Sequence, residues 1–179
     1  QLMFWIAFIT GCRQGELAAL EDKHLVKRGD NYAIYFEQAF VEVKGEGLVL
    51  KNIKNNVAGY ASIPIELAEM IEMQIEEKHK HKELLQNKWE YPNKIFLFSN
   101  DVGKPRRPDS ISQWWIRFRE RHELEYIRFH DLRHLSVTFL ISKNMPIKSI
   151  SDRARHSNIG TTMNIYGHNI VEIDELAAQ

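Results

Sequence analysis

The chain has 179 residues, 44% of them hydrophobic, and its 24 Lys and Arg are balanced by 24 Asp and Glu. That length buries one good core or at most two small ones, and the zero net charge gives no overall sign of a nucleic-acid partner. A single cysteine, Cys12, excludes an internal disulfide and fits a reducing cytoplasmic setting, with the thiol read as a small packed hydrophobe. Charge is unevenly spread, however. From Lys104 to Arg155 twelve Lys and Arg face six Asp and Glu, as expected where a protein meets a polyanion on one side. A solvated basic face without a partner is the plainer alternative.

The opening Q-L-M-F-W-I-A-F-I is apolar but too short for a membrane span or a signal peptide, and Thr10-Gly11 stops it. It starts inside an apolar run, without a start methionine or a helix cap, so an excised domain lacking its N-terminal neighbour is expected. Leu2 to Ile9 reads as a buried helix ended by a left-handed Gly11. A second helix begins near Arg13, where Glu16, one turn on, can pair with Arg13 or with a neighbour.

Tyr32 to Ile65 changes to period two. Y-A-I-Y-F-E-Q-A-F-V, L-V-L-K-N-I and A-S-I-P-I predict three strands in an antiparallel meander, with Lys54 at the second hairpin tip and Lys51 three residues earlier. Helical spacing returns from Glu66 to Leu85, with Leu67, Met70, Ile71 and Ile75 as the buried stripe and K-H-K-H-K as a solvated end. I-F-L-F is a short buried extended segment, followed by a basic turn-rich connector around Pro105. Ser110-Ile111-Ser112-Gln113 opens a helix to about His122, its apolar side formed by Trp114, Trp115 and Phe118.

A further helix starts near His130 and ends at Asn144 and Pro146. His130 and Arg133 share one face, and Leu132, Leu135, Phe139 and Leu140 are expected to anchor the other. A short helix through Ile147 and Ile150 leads to His156 in a Ser/Asn/Gly-rich turn. Thr161-Thr162 starts a helix bearing Tyr166, and Asn169-x-x-Glu172 caps a last amphipathic segment. The fold class is therefore α+β, mainly helical, with a small three-stranded antiparallel sheet.

Arg13, Lys54, His130, Arg133, His156 and Tyr166 lie at element starts, turns or exposed faces of separate segments. Brought together, they suit phosphoryl transfer. Two guanidiniums fork onto non-bridging oxygens and neutralise charge that grows in the transition state. A tyrosine hydroxyl attacks phosphorus once a neighbour takes its proton, which histidine can do, and a lysine returns a proton to the leaving oxygen. Such a set needs no metal or other cofactor.

T-G-C-R-Q-G-E-L, H-D-L-R-H and H-S-N-I-G-T-T-M-N-I-Y-G-H, in this order and with His156 ten residues before Tyr166, resemble the catalytic domain of the tyrosine recombinases, the integrases of phages and mobile elements. The resemblance runs from Leu2 to about Glu172 and implies the DNA breaking-rejoining fold. It also implies site-specific cleavage and rejoining of double-stranded DNA through a 3′-phosphotyrosine, in integration or excision of a mobile element. On it, Arg13 and Arg133 clamp the phosphate, Tyr166 is the nucleophile and Lys54 the general acid to the 5′-oxygen. His130 handles protons and His156 hydrogen-bonds the scissile phosphate. It implies a catalytic domain over residues 1–179 without the family's separate N-terminal DNA-clamping domain, monomeric as an isolated fragment and tetrameric on DNA. Residues 169–179 would dock on a neighbouring protomer.

Two departures accompany the resemblance. Arg155 stands where the family usually has glycine, so a positive φ there would carry strain, displace His156 or add a phosphate contact. The lysine register leaves Lys51 as a fallback for Lys54. Two rival readings remain: a DNA-binding or regulatory relative that cannot cleave, and a zinc peptidase using His130 and His134 at i, i+4.

Overall fold

The computed structural model describes residues 1–53, 58–165 and 167. Helix α1 (Leu2–Thr10) ends where Gly11 adopts the left-handed conformation, φ 61°, and returns its N–H to the Ala7 carbonyl. That turn leads through buried Cys12 into the short α2 (Gln14–Ala18). A Cβ at Gly15 would run into the Phe40 carbonyl, so only glycine lets α2 lie directly on the sheet.

Five short strands follow: β1 (Leu25–Arg28), β2 (Asn31–Phe36), β3 (Gln38–Val43), β4 (Gly47–Asn52) and β5 (Gly59–Ile63). They form an antiparallel three-stranded sheet in the order β1-β2-β5 and a separate β3-β4 hairpin. This corrects the expected meander. The predicted first strand is two strands divided at Glu37, β5 pairs with β2 rather than β4, and β1 was not foreseen. The buried alternation Ile34, Phe36, Gln38, Phe40 runs through the division, so period two carries no mark of where the chain changes partner.

The remaining elements are helical: α3 (Ile65–Leu85), α4 (Pro108–Arg121), α5 (Asp131–Ser142), α6 (Ile147–Ala154) and α7 (159–165). The domain is thus mainly helical with a small antiparallel sheet, as the sequence pattern predicts. The α4 helix begins two residues before Ser110, because Pro108 is well suited to the first turn, where its missing N–H is not needed. The K-H-K-H-K segment is not uniformly solvated. Lys78 is buried, and its Nζ donates to the Ser99 carbonyl at 3.0 Å, tying α3 to the segment after I-F-L-F.

The main core gathers Ile6, Leu17, Phe36, Ile71, Phe96 and Ile111 from both halves of the chain. Phe4 stacks on Trp115 and joins α1 to α4. A smaller cluster of Val137, Ile141, Ile150 and Ala154 fastens α6 to α5, with Ile165 of α7 packed against it. On α5 the buried face is Leu132, Arg133, Ser136, Val137 and Ile141, while Leu135 and Phe139 are exposed. The anchoring face is therefore rotated from the expected one: Arg133 turns inward to donate to the Gly11 carbonyl at the end of α1 and is buried together with Ser136. Among the described residues no helix is long and apolar enough to cross a membrane.

Candidate active site

Arg13 is the residue before α2, in extended conformation, and its half-exposed side chain projects from the helix start. The Glu16 carboxylate accepts both the Arg13 backbone N–H, at 2.9 Å, and Nη1, at 2.7 Å. Nη2 of Arg13 donates to the carbonyl of Arg155, 142 residues away, at 3.3 Å. Sequence proximity explains the first pair of contacts, and packing of α6 explains the last.

Arg133 reaches the same place from α5. It is 5% exposed, and Nη1 donates to the Gly11 carbonyl at the end of α1. Nη2 is buried and has no hydrogen-bond partner among the described residues. Burial, and next the cation of Arg13, push the guanidinium down to about 10, so it stays charged at neutral pH. Two cations held this closely favour an anion between them.

His156 follows Arg155, which caps α6 in the left-handed region at φ 55° and ψ 47°. The His156 N–H donates to the Ser151 carbonyl at 3.0 Å, and Nδ1 lies 2.6 Å from Oγ1 of Thr162 on α7. Burial first, then the cations of Arg133 and Arg13, lower the imidazole to about 4, leaving it neutral at physiological pH. Arg153 keeps α6 in register by donating to the carbonyls of Ile9, at 2.9 Å, and Ser62, at 2.8 Å.

His130 is the residue before α5, and its ring meets that of His134 edge-on at 5.6 Å. Burial, His134 and Arg133 lower its pKa. The turn that presents it is fixed by Asp131, which accepts the Arg128 N–H and its guanidinium, both at 2.9 Å. His130 also borders a largely apolar cleft of about 410 Å³ lined by Gln14, Trp115, Tyr126 and Phe129. No third ligating group stands with His130 and His134 to hold a metal ion among the described residues.

Arg13, Arg133 and His156 thus meet at the junction of α1, α2, α5 and α6, with His130 at the start of α5 under the field of Arg133. Lys54, Tyr166 and residues 169–179 lie outside the described residues. Lys51 is exposed on β4, opposite Ala39. The sequence reading left out two contacts. Thr162 is wholly buried as the partner of His156, and Arg155 turns inward to Glu16. Thr162 could have been suspected from its place six residues after the histidine. Nothing local announces the pair of Arg155 and Glu16.

The model of the phage integrase family matches residues 1–172. The chain belongs to the phage integrase family. Among curated relatives, this integrase-family chain is 29% identical over 177 residues to a tyrosine recombinase XerC-like protein of Caldanaerobacter subterraneus subsp. tengcongensis. It is 27% identical over 165 residues to the ICEBs1 integrase of Bacillus subtilis. These alignments cover 93% and 92% of this chain but 44% of each relative, so the chain spans less than half their length. Among solved structures, the Tn1549 transposon integrase in complex with a circular intermediate DNA superposes with a TM-score of 0.73 at 21% identity. The match covers 98% of this chain and 58% of that one. The XerH recombinase bound to its difH substrate gives 0.66 at 21% identity, covering 97% and 43%. These likenesses establish the shared catalytic-domain fold.

Proposed function

We propose that this phage integrase family domain cleaves and rejoins DNA strands through a 3′-phosphotyrosine, in a site-specific recombinase acting on a mobile element. The observation that carries the reading is the cation cluster. Arg13 and Arg133, 120 residues apart in the chain, converge beside neutral His156, and Arg133 keeps a buried N–H group free of any partner among the described residues. An oxyanion with several lone pairs, such as a phosphodiester, answers that arrangement.

In the reaction, the Tyr166 hydroxyl attacks phosphorus, forming the P–Oη bond as the bond from phosphorus to the 5′-oxygen breaks. His130 accepts the phenol proton, and Lys54 supplies one to the departing 5′-oxygen. Arg13 and Arg133 hold the non-bridging oxygens, and His156 donates from Nε2 while Nδ1 accepts a hydrogen bond from the Thr162 hydroxyl. The covalent phosphotyrosine retains the energy of the broken bond, so a 5′-hydroxyl of another strand reverses the step without ATP. The names of the relatives, a tyrosine recombinase and an integrase, support this reading, as do DNA-bound neighbours of the same fold.

Double-stranded DNA is the substrate in this account, a tetramer the assembly on it, and residues 169–179 the segment that docks on a neighbouring protomer. A relative unable to cleave is less well supported, because Arg155 turns its side chain into the interior and leaves His156 hydrogen-bonded to Thr162. The test is a suicide DNA nicked beside the cleavage point, incubated with the full-length protein. A covalent protein–DNA adduct that Tyr166→Phe abolishes is expected. No adduct, or one that persists in Tyr166→Phe, overturns the proposal.

A further inference from the structure

We propose that Arg155 is a positioning residue for Arg13, acting through the buried Glu16 carboxylate; this rests on the reading of Arg13 as a phosphate-binding group. Arg155 occupies a left-handed backbone position that glycine would fill without steric conflict. A long cationic side chain there is explained by what it touches. It is 1% exposed, and Nη2 pairs with Oε2 of Glu16 at 2.8 Å. Nη1 donates to the Arg153 carbonyl at 3.0 Å, and the guanidinium lies 3.9 Å from the Phe36 ring centroid.

Glu16 is the hinge of the arrangement. One oxygen takes Nη1 of Arg13, and the other takes both the Arg13 N–H and Nη2 of Arg155. The Arg155 carbonyl holds the remaining Arg13 amino group. Residue 155 therefore fixes the Arg13 fork twice, once directly and once through Glu16. The charge count matters as much as the geometry. With Arg13 alone, a buried Glu16 would neutralise the very cation needed for phosphate. With Arg155 as a second counter-ion, the trio carries one net positive charge, and Arg13, the only half-exposed member, presents it outward.

The experiment compares full-length wild type, R155G and R155K. Carbon-13 titration of the Glu16 carboxyl, assigned with E16Q, is read beside single-turnover cleavage of nicked DNA and DNA affinity. Glycine suits the backbone, so R155G is expected to fold. Its Glu16 should titrate at higher pH than in wild type. Cleavage at neutral pH should fall roughly 10- to 100-fold, DNA affinity should stay within about threefold, and the acid limb of the rate should lie at higher pH than in wild type. R155K, able to pair with Glu16, should recover most of the loss. An unmoved Glu16 titration, or R155G cleaving as wild type does, overturns the proposal. Equal loss in R155K with normal Glu16 titration also overturns it, since the role would then be packing alone. Should wild type form no covalent adduct, the functional reading falls, and the Glu16 titration alone decides whether residue 155 governs that carboxylate.

Discussion

His156 and Thr162 meet at 2.6 Å, the imidazole half-buried and the hydroxyl sealed from solvent. The contact spans the turn between α6 and α7, so it fixes both the ring orientation and the entry into the helix that precedes Tyr166. A neutral imidazole whose Nδ1 accepts from Thr162 carries its proton on Nε2, the tautomer needed to donate to an oxyanion. Thr162→Val keeps the shape and removes the hydroxyl. Losing one hydrogen bond of about 1 to 1.5 kcal/mol should slow cleavage roughly 10-fold while DNA affinity changes little. Thr162→Ser should restore the rate. Single-turnover cleavage and filter-binding measurements on the three proteins check this, and a Val variant as fast as wild type refutes it.

The depressed pKa of His156 predicts how stability follows pH. Folded, the ring titrates at about 4, whereas in an unfolded chain it titrates near the ordinary histidine value of 6.5. Above 6.5 both states are neutral and the full stability is present. As pH falls towards 4 the unfolded state takes up the proton first, so folding loses stability across that window, by an amount that solvent screening of the partly exposed ring reduces. His24 and His130 are lowered as well and act in the same direction. Thermal melting of wild type and His156→Gln at pH 7 and 4.5 should show a smaller acid loss in the variant. Parallel losses in both would place the pH sensitivity elsewhere.

Glycine 15 offers a test of the fold independent of the chemistry. Its missing Cβ lets α2 rest against the Phe40 carbonyl of β3, so Gly15→Ala forces backbone apart in the element that carries Glu16. Overpacking of this kind costs about 1 to 3 kcal/mol. Urea unfolding should show the midpoint falling with an unchanged slope. A variant as stable as wild type would mean that the contact relaxes freely.

These features divide by how far apart in the sequence their causes lie. The end of α1 and the start of α2 were readable because Gly11, Arg13 and Glu16 lie close together in the chain. Likewise α3 and α5 announced themselves by apolar spacing and by Pro146 beyond the end. Strand pairing was not readable. Phe36, Gln38 and Phe40 keep one alternation although the chain changes sheet between them, and β1 carries two half-buried residues followed by two exposed ones. Of the site, Arg13, Arg133 and His156 stood out by residue type and setting. The inward turn of Arg155 depends on a carboxylate 139 residues away, which no local pattern encodes. The face of α5 was misjudged for a similar reason. Leu135 and Phe139 are more apolar than Arg133, yet the side that donates to the distant Gly11 carbonyl is the one buried.

Arg133 joins structure and chemistry, so its substitutions should separate the two. In Arg133→Ala the Gly11 carbonyl loses its donor and α1 one of its ties to α5, which should lower stability by about 1 to 3 kcal/mol. Cleavage should suffer more. In the proposed reaction Nη2, without a hydrogen-bond partner among the described residues, faces charge that grows only as the transition state forms, and removing one such donor costs about 100- to 1,000-fold in rate. DNA affinity should drop far less, because many other basic groups between Lys104 and Arg155 remain to meet the backbone. Arg133→Lys keeps the charge but cannot serve Gly11 and a phosphate oxygen together, so it should recover affinity before rate. Measuring both constants at a temperature where each variant is folded separates these effects. Equal losses in rate and affinity would mean that Arg133 binds the ground state as tightly as the transition state, and that its role is adhesion to DNA.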